Sequence, residues 1–216
     1  MSSLTVDYII NGVLGGYDRH CIKFMHTIPF KVGELNNNIC SPRVLSRCIK
    51  NAISNLGLMI YTQKDLDQLA VLTCEGDIYI RPRNSFRMPI YYEMVLLHEI
   101  GHELYNQTLM RSGVSRWARN NVNSLYVRRP ALALEEIIVE ASSVIVTSIL
   151  YPELNKKYYG PSFCFIRDRL SDISSYGLSW KLYDEALDYC LTKSLKLSST
   201  LLLAGGIYKC EEGFAA

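Results

Sequence analysis

Long apolar runs are missing from this 216-residue chain: stretches such as Leu201–Ala204 stop at four residues, against the roughly 20 needed to cross a bilayer. The N-terminus, MSSLTVDYIINGVLGGYDR, also lacks a basic stretch ahead of its apolar residues. Neither a signal peptide nor a membrane span is expected. Charge of one sign is not in excess either. With 23 Lys and Arg against 21 Asp and Glu, the net charge is +2, which gives no bulk attraction to nucleic acid or to an anionic membrane. The seven cysteines (Cys21, Cys40, Cys48, Cys74, Cys164, Cys190, Cys210) contain no CxxC and no ladder of spacings. A disulfide scaffold is thereby excluded, and free thiols in a reducing cytoplasm are expected.

Repeats, low-complexity tracts and Pro/Gly/Ser linkers are absent too, so residues 1–216 are expected to form one domain, and 49% apolar residues suffice for one core. Residues 1–57 would hold an N-terminal segment and a backing helix. Its first part ends in the turn cluster Asn36-Asn37-Asn38; Ser41-Pro42 then supplies a cap and a first-turn proline. Leu45, Cys48, Ala52, Ile53 and Leu56 follow at helical spacing up to Gly57, with Arg43, Arg47 and Lys50 on the wet side. Residues 58–150 would carry short strands at 58–62, 69–74 and 77–81, the last two joined tightly at Glu75-Gly76. A helix opening at Pro89 would follow, and a second from Ala131 to Leu150, stopped by Pro152. Residues 151–216 would add helices near 163–173 and 179–195, the latter with Leu182, Ala186 and Tyr189 in register.

Histidine is scarce, four residues in all, yet two of them stand in His98-Glu99-Ile100-Gly101-His102. This is HExxH. Residues four apart on a helix share a face, so both imidazoles can bind one Zn²⁺. Glu99 lies about 100° round the helix, where its carboxylate can take a proton from water at the metal. Composition alone would place this pattern in roughly 0.004 of such chains. Two histidines do not complete a catalytic zinc shell, and His20 and His26 do not extend the motif, so a carboxylate is expected as third ligand.

The segment Glu135-Glu136-Ile137-Ile138-Val139-Glu140 offers it, with Ile137, Ala141 and Val144 turned to the core. Either Glu136 or Glu140 can bind zinc while the other accepts the free ring N–H of a ligating histidine. Glu135 is expected on the solvated side. Residues 111–129 hold Arg111, Arg116, Arg119, Arg128 and Arg129 and no acid. They are expected as a loop that either offsets the glutamates or forms a rim for acidic peptide or nucleic acid. A rim Arg, or Tyr126, would supply the donor for a transition-state oxyanion. The strand at 77–81 is expected at a sheet edge, where an extended substrate could pair with it.

Glu136 and Glu140 resemble the ExxxD helix of thermolysin-like gluzincins, in which the first carboxylate ligates and the second supports; that analogy favours Glu136. A second resemblance is broader. Asp77-Ile78-Tyr79-Ile80-Arg81-Pro82, Phe86, Tyr91-Tyr92, Leu96-Leu97 and His98–His102 resemble the metallopeptidase domain of ArdC-type antirestriction proteins, as do Ser115–Asn120 and Glu135–Glu140. Similarity runs over about residues 70–195. It implies an α+β, zincin-like fold, mostly helical, with a small antiparallel or mixed sheet before the HExxH helix. It further implies zinc at His98, His102 and Glu136 or Glu140, Glu99 as general base, a mobile-element or viral origin, and a host or partner protein as substrate. The expected function is therefore a cytoplasmic zinc metallopeptidase. The alternative is an antirestriction-type DNA- or protein-binding protein with a structural or vestigial zinc site, gripping its partner through the five arginines.

Overall fold

The computed structural model describes residues 42–122, 128–151, 165–166, 168–169, 171–172 and 180–207. The Asn36–Asn38 turn, Ser41, His20, His26, Tyr126 and Phe163 lie outside them. Helix α1 (Pro42–Leu56) buries Val44, Leu45, Cys48, Ile49 and Ala52, one stripe at 3.6-residue spacing, and leaves Arg43, Arg47 and Lys50 exposed. The sheet comprises β1 (Met59–Thr62), β2 (Ala70–Leu72) and β3 (Asp77–Ile80), ordered β1-β3-β2. Strand β2 pairs antiparallel with β3 through a turn closed by the Thr73 N–H donating to the Asp77 carbonyl at 2.8 Å. Gly76 sits in that turn at φ +88°, a conformation side chains resist. Because β1 pairs parallel on the other side, the sheet is mixed, and β3 is its central strand rather than an edge. The two fully buried isoleucines of β3, Ile78 and Ile80, reflect this position.

A short 3₁₀ turn (Arg83–Ser85) leads into helix α2 (Pro89–Gln107), which carries HExxH. Arg83 pairs with the buried carboxylate of Glu93 and lies over the Tyr92 ring at 4.9 Å, so the start of α2 is tied to the preceding turn. Leu97, Ile100 and Leu104 are buried on its core face, each contributing about 1.5–3 kcal/mol. Helix α3 (Met110–Asn121) occupies much of the segment expected as a loop, with Met110, Val114 and Ala118 buried at i, i+4, i+8. The arginines hid this amphipathic pattern in the sequence.

Helix α4 (Arg128–Leu150) packs chiefly between α2 and α5 (Trp180–Ala204). At the α4–α5 contact, Ser142, Ser194 and Ser198 are buried. Their hydroxyls donate to helix carbonyls, as from Ser142 to Ile138 at 2.7 Å and from Ser194 to Cys190 at 2.7 Å. Small side chains satisfied in this way let two helices approach closely. Helix α5 outruns its expected end at Leu195, and Leu197, Leu201 and Leu202 join the core. The Ser/Thr content of that stretch concealed the helix. The described residues between 165 and 172 are also helical. Among the described residues, Cys48, Cys74 and Cys190 are free thiols, and no helix is long and apolar enough to cross a membrane.

Candidate metal centre

One turn of α2 brings His98 and His102 to the same face, and their Nε2 atoms lie 3.1 Å apart. From α4, Glu136 reaches across with Oε2 at 3.3 Å from the His98 Nε2 and 3.6 Å from the His102 Nε2. Two donors each ~2.05 Å from a tetrahedral zinc would stand about 3.3 Å apart. The three atoms therefore already form a triangle of the right size for one face of such a site, and the three residues together could hold a metal ion. Neutral imidazole and carboxylate are the donor set expected for zinc with an open fourth position.

The other ring nitrogens are held too. Glu140 Oε2 lies 2.9 Å from His98 Nδ1, and Glu135 Oε1 lies 2.9 Å from His102 Nδ1. A carboxylate at Nδ1 keeps the proton there and frees Nε2 as a donor. Glu135 is thus not a solvated residue: its side chain is 14% exposed and oriented inward. Its position next to Glu136 was the available signal. An adjacent helix residue is turned about 100°, enough to reach the second ring while Glu136 faces the space between both.

Gly101 sets the distance between the two helices. A Cβ at this position would stand 2.9 Å from Val139 Cγ1, closer than carbon atoms pack. The glycine inside HExxH is the place where α4 comes close enough for its glutamates to reach the histidines.

Burial by itself would depress the His98 pKa, but Glu136 and Glu140 outweigh it and raise the ring to about 10. His102 is raised in the same way, burial being overcome by Glu135 and Glu136. Burial pushes Glu136 upward, yet the hydrogen bonds from His102 and His98 prevail and hold it far below the ordinary carboxylate range. Glu99 is buried, which raises its pKa, while the neighbouring histidine charges and the Leu72 main-chain amide partly offset this. A carboxylate lifted in this way is a better proton acceptor than an exposed one.

These groups lie in a cleft of about 1090 Å³ bounded by β2, α2, α4 and residues Phe165 and Arg169. Phe165 meets His98 edge-on, with ring centroids 6.0 Å apart. Neither it nor Arg169 carries a sequence signal, because tertiary folding alone brings these residues to α2. The strand along the cleft is β2, not 77–81. Just before it the Leu69 carbonyl accepts from the Arg81 N–H, and just after it the Thr73 N–H donates to the Asp77 carbonyl, both toward β3. By alternation, the main chain of Ala70 and Leu72 faces away from β3, on the cleft side.

Of the five arginines, Arg111 lines the cleft, and Arg116, Arg119, Arg128 and Arg129 are exposed elsewhere on α3 and the first turn of α4. Tyr126 lies outside the described residues. No protein family matches the chain, and no curated protein or solved structure does.

Proposed function

We propose that the protein is a zinc metallopeptidase of zincin-like, gluzincin type, related to the ArdC-type peptidase domains that its sequence resembles. The observation that carries this reading is the convergence of His98, His102 and Glu136 on one point beside the buried carboxylate of Glu99, at the floor of an open cleft. Bound there, zinc would polarise a peptide carbonyl and lower the pKa of water. Glu99 takes the proton of the attacking water and returns it to the leaving amine. Glu135 and Glu140 keep the two imidazoles in the tautomer that donates through Nε2. The outward main chain of β2, apart from the Leu72 N–H that Glu99 accepts, pairs with an extended substrate, a role that the central β3 has no free edge to perform. Tyr126, two residues before α4, is the proposed oxyanion donor. The free thiols at Cys48, Cys74 and Cys190 favour a cytoplasmic setting.

Elemental mass spectrometry of the purified chain beside Glu99→Gln and Glu136→Gln tests the reading. One zinc per chain is expected in the wild type and in Glu99→Gln, less in Glu136→Gln, with chelator-sensitive peptide cleavage in the wild type alone. No zinc after reconstitution would sink the peptidase reading and favour the DNA- or protein-binding alternative, whose affinity should fall steeply with salt and ignore chelators.

A further inference from the structure

The cleft changes character along α2. Tyr91 and Val95 precede His98 by seven and three residues and share its face. With the edge-on ring of Phe165 they make an apolar wall on one side of the metal ligands. Beyond His102 the lining turns polar, through Glu103, Asn106 and Gln107, and ends at Arg111 in the first turn of α3.

The charges at the two ends are not equivalent. Arg169, beside the apolar wall, spreads over the Phe165 ring at 5.0 Å and faces Asp172 at 3.4 Å, so its charge is offset locally. Arg111 is exposed, and among the described residues no carboxylate forms an ion pair with it. The nearby acids point to other partners than Arg111. Glu103 accepts from the Gln107 amide at 2.7 Å, Glu135 and Glu140 hold imidazoles, and Glu136 sits between the two rings. Arg111 is therefore the positive charge that an incoming chain meets at the polar end, with the carboxylate of Glu103 beside it in the lining.

Resting on the peptidase reading, we infer that the cleft selects peptides that carry an apolar side chain on one side of the cleaved bond, against Tyr91, Val95 and Phe165, and an acidic one on the other, at Arg111. An exposed pair of this kind is worth up to about fivefold in binding.

The test is digestion of a mixed-sequence peptide library by the zinc-loaded full chain, with cleavage sites read by mass spectrometry. Sites are expected to carry Leu, Ile, Phe or Met on one side and Asp or Glu on the other. Arg111→Glu should turn the acidic preference toward Lys and Arg with zinc content unchanged. Cleavage without a charge preference, or a preference that Arg111→Glu leaves intact, would overturn the inference and leave the peptidase reading standing. No cleavage of any peptide would overturn the peptidase reading, and binding then decides the inference. Fluorescence anisotropy would compare an acidic peptide with its Asn/Gln counterpart on zinc-loaded Glu99→Gln chain. Tighter binding of the acidic peptide that Arg111→Gln abolishes supports the inference, and equal binding refutes it. Displacement of the acidic peptide by a single-stranded DNA oligonucleotide at equal anion concentration would reassign Arg111 to nucleic acid.

Discussion

Glu135→Gln keeps the size of the side chain and removes the charge that faces His102 Nδ1 at 2.9 Å. A hydrogen bond to a charged partner in a mostly buried setting contributes about 1.5–3 kcal/mol. If that interaction serves to orient the ring for a metal, its loss should appear as weaker metal binding, about 10- to 100-fold. That range corresponds to about 1.4–2.8 kcal/mol, so two independent routes to the magnitude agree. Competition for zinc against a chromogenic chelator at pH 7.5 measures it. Glu140→Gln should behave like Glu135→Gln, because it acts on His98 in the same way. Glu136→Gln should be worse than either, since it alters the donor that faces both Nε2 atoms. Glu103→Gln, whose carboxylate accepts from the Gln107 amide rather than from a histidine, should change nothing. An affinity within twofold of wild type in Glu135→Gln, or an equal loss in Glu103→Gln, would show that Glu135 does not position His102.

Gly101→Ala places a methyl against Val139, which should cost about 1–3 kcal/mol and lower the Tm by roughly 2–12 °C; Gly101→Ala with Val139→Ala should recover most of it in a thermal melt. The metal-free chain should lose stability as pH rises. The folded pKa of His98, about 10, exceeds its ordinary value of 6.5, so the folded state binds the proton more tightly and its contribution is complete below 6.5 and gone above about 10. Urea midpoints in EDTA at pH 6, 8 and 10 should therefore fall in that order, and a flat series would contradict the pairing of His98 with Glu136 and Glu140. Arg83→Met strands the buried Glu93 carboxylate and should cost about 1–3 kcal/mol in urea unfolding.

Helical periodicity made much of the fold readable. Leu45, Cys48 and Ala52 on α1 and Leu97, Ile100 and Leu104 on α2 carry a 3.6-residue repeat that only a helix buries on one side. It failed where the polar face dominates, as with the arginines of α3, and where small hydroxyl residues past Leu195 face the core, as with Ser198 on α5. Sheet order was beyond its reach. Alternation in 77–81 marks a strand but not its neighbours, and β3 became central because β1 pairs beside it from across the β2 hairpin.

The sequence by itself determined the pair of imidazoles and the neighbouring carboxylate of Glu99, because four-residue spacing on one helix is a local property that no partner element can alter. It also pointed to the glutamates of α4 as the carboxylates that would join them. Only the tertiary structure decided how the glutamates divide: Glu136 facing both Nε2 atoms, Glu140 at His98 Nδ1, and Glu135 at His102 Nδ1. The reason is that a helix's rotation about its own axis is fixed by packing. Here that packing is the close approach of α4 to α2 at Gly101 and Val139, which lies outside the reach of any local spacing rule.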